Sequence, residues 1–343
     1  SCTCPALWSS WRLSLFERPC QIVIHTGFPE TGPTLGEVGE AGVIQAIFSA
    51  APSTINGDDA AVLTPSTPNS RVVASTDMLV DGRHFSADYT TPFLVGRKAV
   101  VQNYADIEAM GARPLAALLA ISAPPETPVA VVEELARGLG SMTQEWASEL
   151  VGGDVTSGEK LVISVTAIGS LGGNLDALRL DRARPGQRVV AHGHLGYSAA
   201  GLALLQSGVR IPASLEPLVQ AHQVPEIIPG RGVVARSAGA TAMTDNSDGL
   251  IRDLSTMARM SGIGIDLSSV AIKPDRLLED AGLLLGIDPW KWVLTGGEDH
   301  ALIGTCDGSA PVGFRSIGTV SRQQGVRIDG KEPAYTGGWE SFA

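Results

Sequence analysis

Asn56-Gly57-Asp58-Asp59-Ala60-Ala61-Val62, then Val72-Val73-Ala74-Ser75-Thr76-Asp77 and His84-Phe85, is the stretch around which the chain is organised. Ala60 to Leu63 and Val72 to Ser75 read as short β-strands joined by a turn-forming loop of Pro, Ser and Asn. A glycine and paired carboxylates precede the first strand, and a hydroxyl-hydroxyl-carboxylate run closes the second. Hard oxygen ligands at strand ends suit a divalent cation and the phosphates it accompanies. The same residue types also build turns and helix caps, so neither motif alone decides between the two uses.

Upstream, Val43, Ile44, Ile47 and Phe48 recur at helical spacing and predict a helix from Gly39 that stops before Pro52. Downstream, Thr91 caps a predicted helix with Pro92 in its first turn, running through Val100 and Ile107 to Met110 and ending at Gly111. On it Asn103 and Asp106 lie three apart and share a face. A buried face rarely carries an Asp without a partner. Leu115 to Ile121 predicts a buried strand, and Val129 to Leu150 a helix weakened at Gly138 and Gly140. In Leu150-Val151-Gly152-Gly153-Asp154 a strand end runs into two glycines and a carboxylate, where backbone can approach a phosphate closely. A simple turn fits that stretch equally well. Val162 to Ile168 is a further strand, and Gly172-Gly173 marks the expected domain boundary.

The second half reopens with a strand at Arg188 to Ala191, the loop Gly193-His194-Leu195-Gly196 and a helix from Ser198 to Leu205. A glycine loop at a helix N-terminus is a generic anion site, but this spacing is neither a Walker nor a Rossmann fingerprint. A strand from Ala240 to Met243 ends in Thr244-Asp245-Asn246-Ser247-Asp248-Gly249, directly before a helix from Leu250 to Met260. Ser247 or Asp248 would serve as its N-cap, yet two Asp flanking a Ser exceed what a cap requires. Trp292-Val293-Leu294 reads as a strand entering Thr295-Gly296-Gly297-Glu298-Asp299, an echo of the earlier Gly-Gly-Asp. Alternating strands and helices in both halves place the chain in the α/β (α+β) class, with two lobes of similar size.

A length of 343 residues accommodates two cores. With 25 Lys and Arg against 36 Asp and Glu the formal charge is −11, which argues against a nucleic-acid surface. Crowded carboxylates raise one another's pKa unless cations neutralise them, so bound metal would relieve the excess. Cys2, Cys4, Cys20 and Cys306 have no zinc spacing and point to a reducing compartment without a required disulfide. No stretch approaches the roughly 20 apolar residues of a membrane span, and a cytoplasmic location is the expectation. Residues 1–35 mix Trp, Cys, Pro and Gly without periodicity and are expected to be a loosely attached extension, with order beginning near Gly36.

Taken together and in order from about Gly36 to Phe342, these motifs resemble the thiamine-monophosphate kinase family. The resemblance implies a two-domain fold like that of aminoimidazole ribonucleotide synthetase, with residues 36–173 forming an N-terminal ATP- and Mg-binding domain and 174–343 a C-terminal one. It further implies a homodimer formed through the N-terminal domain, and transfer of the γ-phosphate of ATP to thiamine monophosphate with several Mg²⁺ ions. By that likeness Asp59, Ser75, Thr76, Asp77, Asp106, Asp154, Asp245 and Asp248 are metal ligands, and Asp77, Asp106 and Asp154 stand closest to the chemistry. Gly153, Asp154, Ser247 and Arg179 would contact ATP, and His84, Glu298 and Trp339 the thiamine end. Two rival readings are another ATP-using synthetase of the same fold and a non-catalytic divalent-metal-binding protein. A selenophosphate synthetase would need a reactive Cys beside a Lys in a glycine-rich N-terminal loop, a setting that Cys2, Cys4 and Cys20 lack.

Overall fold

The computed structural model describes residues 22–55, 61, 63–64 and 68–339. The Gly57-Asp58-Asp59 turn, and so the expected ligand Asp59, lies outside the described residues. Most of the strand expected from Ala60 to Leu63 lies there too, and Ala61 and Leu63 are not in a strand.

In chain order the first half runs α1 (Leu35–Ala50), β1 (Arg71–Val80), α2 (Pro92–Ala109), β2 (Arg113–Ala123), α3 (Val129–Glu145), β3 (Glu149–Ser157) and β4 (Val162–Leu171). The second half continues with β5 (Arg188–His192), α4 (Tyr197–Gln206), α5 (Glu216–Gln223), α6 (Arg231–Ser237), β6 (Ala240–Asp245) and α7 (Leu250–Ser261). It closes with β7 (Gly264–Leu267), α8 (Arg276–Leu285), α9 (Pro289–Thr295), β8 (Leu302–Cys306), β9 (Arg315–Ser321) and β10 (Gly325–Ile328).

Two sheets result. The first has the order β1-β4-β2-β3, antiparallel except for the parallel β2/β3 pair. The second has the order β10-β7-β9-β5-β8-β6, antiparallel except for β10/β7. Alternation along β1 sends Val73 and Leu79 into the first core, so Ser75 and Asp77 point to the same, helix-covered side. Val72, at 73% exposure, and Met78, at 55%, lie on the opposite face with Thr76.

Helix α2 sits between the two halves. Thr91 caps it by accepting from Leu94 N at 3.3 Å, and Pro92 supplies the preset φ of its first turn. Fourteen of its 18 residues are buried, so it is internal rather than amphipathic. Val95, Ala99 and Tyr104 join the first core, whereas Ala109 packs with Leu178, Val190, Ala235 and Leu302 against the second sheet. The α2/α3 crossing is close because both helices present glycine there. A Cβ on Gly96 would stand 2.1 Å from Leu135 O, and one on Gly138 1.9 Å from Phe93 O.

Five expectations are corrected. Order does not begin at Gly36: Ile22 and Ile24 pack on the second core, and Phe28 packs on the first, its ring stacked on Phe85 with centroids 6.0 Å apart. α1 opens at Leu35, four residues before the expected Gly39, on a capping box in which Thr34 and Glu37 bond each other's backbone N–H. The helix expected to reach Leu150 ends at Glu145, where Trp146 caps it and Ala147 turns to φ 51°. Gly152-Gly153-Asp154 is then the middle of β3, not a loop after a strand. Trp292-Val293-Leu294 belongs to α9, whose start is set by Asp288 accepting from Trp290 N at 3.0 Å and by Pro289.

Candidate active site

The polar residues of α2 are the frame of the site. Lys98, Gln102 and Asp106 follow each other at a spacing of four and so form one stripe, with Asn103 beside it. Each is buried or nearly so, and each has a partner, Asp77 being shared by Gln102 and Asn103. Gln102 Nε2 donates to Asp77 Oδ2 at 3.1 Å, and Asn103 Oδ1 accepts from Asp77 N at 2.9 Å. Ser75 Oγ donates to Asp106 Oδ2 at 2.5 Å. The two inward residues of β1 are thereby fixed against α2.

From the second half, Asp245 at the end of β6 approaches the same place, with His300 Nδ1 2.8 Å from its Oδ2. Burial, together with the nearby charges of Asp245 and Asp77, pushes the Asp106 carboxyl up to about 7, against the pull of Ser75 and His300. Burial also works against a charged His300, but its bond to Asp245 and the surrounding carboxylates prevail and raise its pKa. Ser247 and Asp248 are not the cap of α7. Its N-cap position is Gly249, and Asp253 in the first turn accepts from Asp248 N at 3.2 Å and Gly249 N at 3.1 Å. That leaves the Asp248 carboxylate facing Arg252 Nε at 3.4 Å, and burial raises its pKa.

The other end of the stripe is Lys98, whose Nζ lies 3.1 Å from Glu298 Oε1. His222 Nδ1 lies 3.7 Å from Glu298 Oε2 and 3.1 Å from Ser198 Oγ. Burial favours a protonated Glu298, yet the charge and hydrogen bond of Lys98 outweigh it and hold the carboxyl below its ordinary value. Burial drives His222 down to about 3, so it is neutral in the working range. His84, whose Nδ1 accepts from Val80 N at 3.0 Å, faces the Trp339 ring with centroids 5.8 Å apart. The Arg83 guanidinium lies 5.3 Å over the same ring, and Trp339 N donates to Asp248 O at 2.9 Å. His84 is pushed below its ordinary pKa by burial first, then by Arg83 and Lys98, with Glu298 and Asp77 opposing. An aromatic, partly cationic corner therefore adjoins the acidic one.

Between Glu298 and His300, Asp299 turns away and accepts from Gly196 N at 2.5 Å and Ser198 N at 2.8 Å, at the N-terminus of α4. The anion site offered by the Gly193-to-Gly196 loop is thus filled by the protein's own carboxylate.

The structure gathers Ser75, Asp77, Asp106 and Asp245 at one end and His84, Glu298 and Trp339 at the other, with Ser247 and Asp248 between them, their carbonyls accepting from Glu298 N and Trp339 N at 2.9 Å. It does not bring Thr76 or Asp154 to them. Thr76 Oγ1 donates to Val165 O at 3.1 Å and accepts from Thr166 Oγ1 at 3.0 Å on the outer face of the first sheet. Val155 packs into the first core, so strand alternation places Asp154 on that outer face as well. Gly153 is required by packing, since a Cβ there would stand 1.8 Å from Leu119 O. Arg179 forks onto Asp181 with two bonds of 3.0 Å, and its N donates to Thr241 O at 3.3 Å. Thr241 is four residues from Asp245 along β6, about 13 Å, so Arg179 does not reach the acidic end. Sequence reading missed Lys98, Gln102, His222, Asp253, Asp299 and His300. The i, i+4, i+8 spacing of Lys98, Gln102 and Asp106 carried the signal for the first two.

Among the described residues no three carboxylate, imidazole or thiolate groups stand ready-gathered around a metal position. The donor set nevertheless fits Mg²⁺, which takes one or two carboxylates and completes its shell with water and substrate phosphate. The upward shift of Asp106 is what a divalent cation would reverse.

The chain matches the family model of AIR synthase related protein, N-terminal domain, over residues 57–171. It is 59% identical over 323 residues to the thiamine-monophosphate kinase of Corynebacterium glutamicum, covering 92% of this chain and 98% of that protein. The Mycobacterium tuberculosis enzyme of the same name is 45% identical over 317 residues, covering 90% and 93%. The solved structure of AaThiL complexed with AMPPCP and TMP superposes with a TM-score of 0.72 at 31% identity, over 89% of this chain and 98% of that one.

Proposed function

The chain belongs to the thiamine-monophosphate kinase family, and on that premise we propose that it moves the γ-phosphate of ATP directly to the phosphate of thiamine monophosphate. The products are thiamine diphosphate and ADP, the last step of thiamine diphosphate biosynthesis. The observation that carries this reading is the single stripe on α2, which ties an acidic end at Asp106 to a ring-binding end at Lys98 and Glu298.

In this reading Asp77, Asp106, Asp245 and Asp248, with Ser75, would hold several Mg²⁺ ions, whose charge would offset that on the transferring phosphoryl oxygens. Gln102 and Asn103 orient Asp77, Ser75 orients Asp106 and His300 orients Asp245, so the carboxylates are placed before substrate arrives. Ser247 lies beside the nucleotide. Trp339 and His84 stack on the acceptor ring and Glu298 meets its positive charge. A phosphate monoester has a second pKa of about 6 and attacks without a strong general base. No hydroxyl of the site needs to become a nucleophile.

The outer face of the first sheet, with Val72 and Met78 uncovered, is the surface through which two copies pair. Such a homodimer puts Thr76 and Asp154 at the interface, apart from the single-chain acidic cluster. No helix among the described residues is long and apolar enough to cross a membrane. An ATP-using biosynthetic enzyme with a free Cys306 belongs in the cytoplasm.

The test is turnover with γ-labelled ATP and thiamine monophosphate. Label on the terminal phosphate of thiamine diphosphate, with ADP and unlabelled enzyme, is the expected result. AMP, or a labelled enzyme after quenching, would overturn direct transfer. No turnover at all would remove thiamine monophosphate as the acceptor.

A further inference from the structure

The Lys98 side chain is 4% exposed and that of Glu298 31%, so the ammonium is inside and the carboxylate is the outer member of the pair. Glu298 has φ 61° and His300 φ 52°, the left-handed region that a non-glycine residue adopts only at a cost. Such a turn persists only where its surroundings hold it. Three consecutive side chains do so in three directions: Glu298 to Lys98 on α2, Asp299 to the start of α4, and His300 to Asp245 on β6. Glu298 N also donates to Ser247 O at 2.9 Å. Of these anchors only Lys98 comes from the first half of the chain.

An ammonium buried alone would repel a cationic ring, and a carboxylate alone in this place would take up a proton. Paired, they present a fixed dipole with its negative end outward. His222, buried and bonded to Ser198, backs the second carboxylate oxygen without adding charge there.

We propose that Lys98 is a positioning residue for acceptor choice: by pairing with Glu298 from inside and fixing its carboxylate outward, it selects a phosphate ester that carries a permanently cationic ring over one with a neutral ring. The inference rests on the kinase reading above and adds to it the residue that sets its charge selectivity. Asp106 lies two helical turns away on the same stripe, so the pair acts on the acceptor end and not on the nucleotide.

The experiment compares wild type, Lys98→Arg, Lys98→Met, Glu298→Gln and the Lys98→Met/Glu298→Gln double variant. Substrates are ATP, thiamine monophosphate and its thiophene isostere, in which a neutral ring replaces the thiazolium. Lys98→Met is expected to raise KM for thiamine monophosphate about ten-fold or more and to leave KM for ATP within about two-fold. Lys98→Arg restores most of the loss. The double variant, whose neutral side chains leave no unpaired buried charge, is no worse than Lys98→Met alone. Wild type prefers the cationic acceptor by about ten-fold in kcat/KM, and both single neutral variants lose that preference. An equal rise in both KM values, additive losses in the double variant, or an unchanged preference would overturn the role of Lys98. Absent turnover by wild type would overturn the kinase reading and this inference with it; turnover with any of those three results overturns this inference alone.

Discussion

Replacing Asp106 by Asn separates the two demands on this residue, because its carboxylate is costly to the empty fold and necessary to the chemistry. Burial and the neighbouring Asp245 and Asp77 lift its pKa from 3.8 to about 7. A displacement of about three pH units corresponds to about 4 kcal/mol between the two protonation states. The sign follows from the raised value: the unfolded chain releases this proton near pH 4 and the folded chain only near pH 7. The penalty therefore grows as pH rises between those values and is constant above. Asn keeps an oxygen for Ser75, so most of the bond network survives and the gain at pH 8 should be about 2–4 kcal/mol. For 343 residues, at about 1.4 °C per kcal/mol, that is a rise of about 3–6 °C in Tm. The assay is a thermal melt of metal-free wild type and Asp106→Asn at pH 4.5, 6 and 8. The two curves should meet at the acid end and separate toward pH 8. Glu108, Asp253 and Asp299, which burial also raises to about 7, contribute equally to both proteins and cancel. Turnover by the variant should fall at least about a hundred-fold. A variant that melts below wild type at pH 8 without metal, or turns over within ten-fold of it, would refute the reasoning.

Mg²⁺ with ATP should raise Tm by more than the sum of the separate shifts, since metal and nucleotide share one site; strictly additive shifts in a melt series would count against that. Trp339→Ala should weaken thiamine monophosphate binding by about 1–3 kcal/mol through lost stacking and burial, while calorimetry shows ATP affinity unchanged. Gly153→Ala should be among the most destabilising single methyl additions in the chain, because the new Cβ meets Leu119 O at 1.8 Å and must part β2 from β3; a denaturant midpoint equal to wild type would show that the edge strand yields freely.

Much of the site was legible before any coordinates. Thr91-Pro92 marked the start of α2, and the three-residue spacing of Asn103 and Asp106 put two of its polar residues on one side. What stayed hidden depends on contacts between distant segments. Lys98 looks like an ordinary solvated lysine until Glu298, 200 positions later, is seen beside it. Asp154 and Thr76 sit in acidic or hydroxyl motifs equal in appearance to Asp77, and only the two-residue alternation of a strand, anchored by Val155 and Leu79 in the core, shows that they face the other way. Trp292 to Leu294 failed for a local reason: an apolar run of three suits either state, and the Asp288-Pro289 start signal outweighed it.

Because Lys98 and Asp106 are carried by one uninterrupted helix, the separation between the two ends of the cleft is about 12 Å of rise along a rod. Movement of the two halves against each other cannot change it. The helix is in effect a ruler cut to one acceptor length, and it has no tolerance in register. One residue inserted between Lys98 and Asp106 would swing them about 100° apart around the axis, a fault that no loop adjustment elsewhere repairs. Surface loops that carry no side chain of the site tolerate changes in length, whereas α2 must be kept residue for residue.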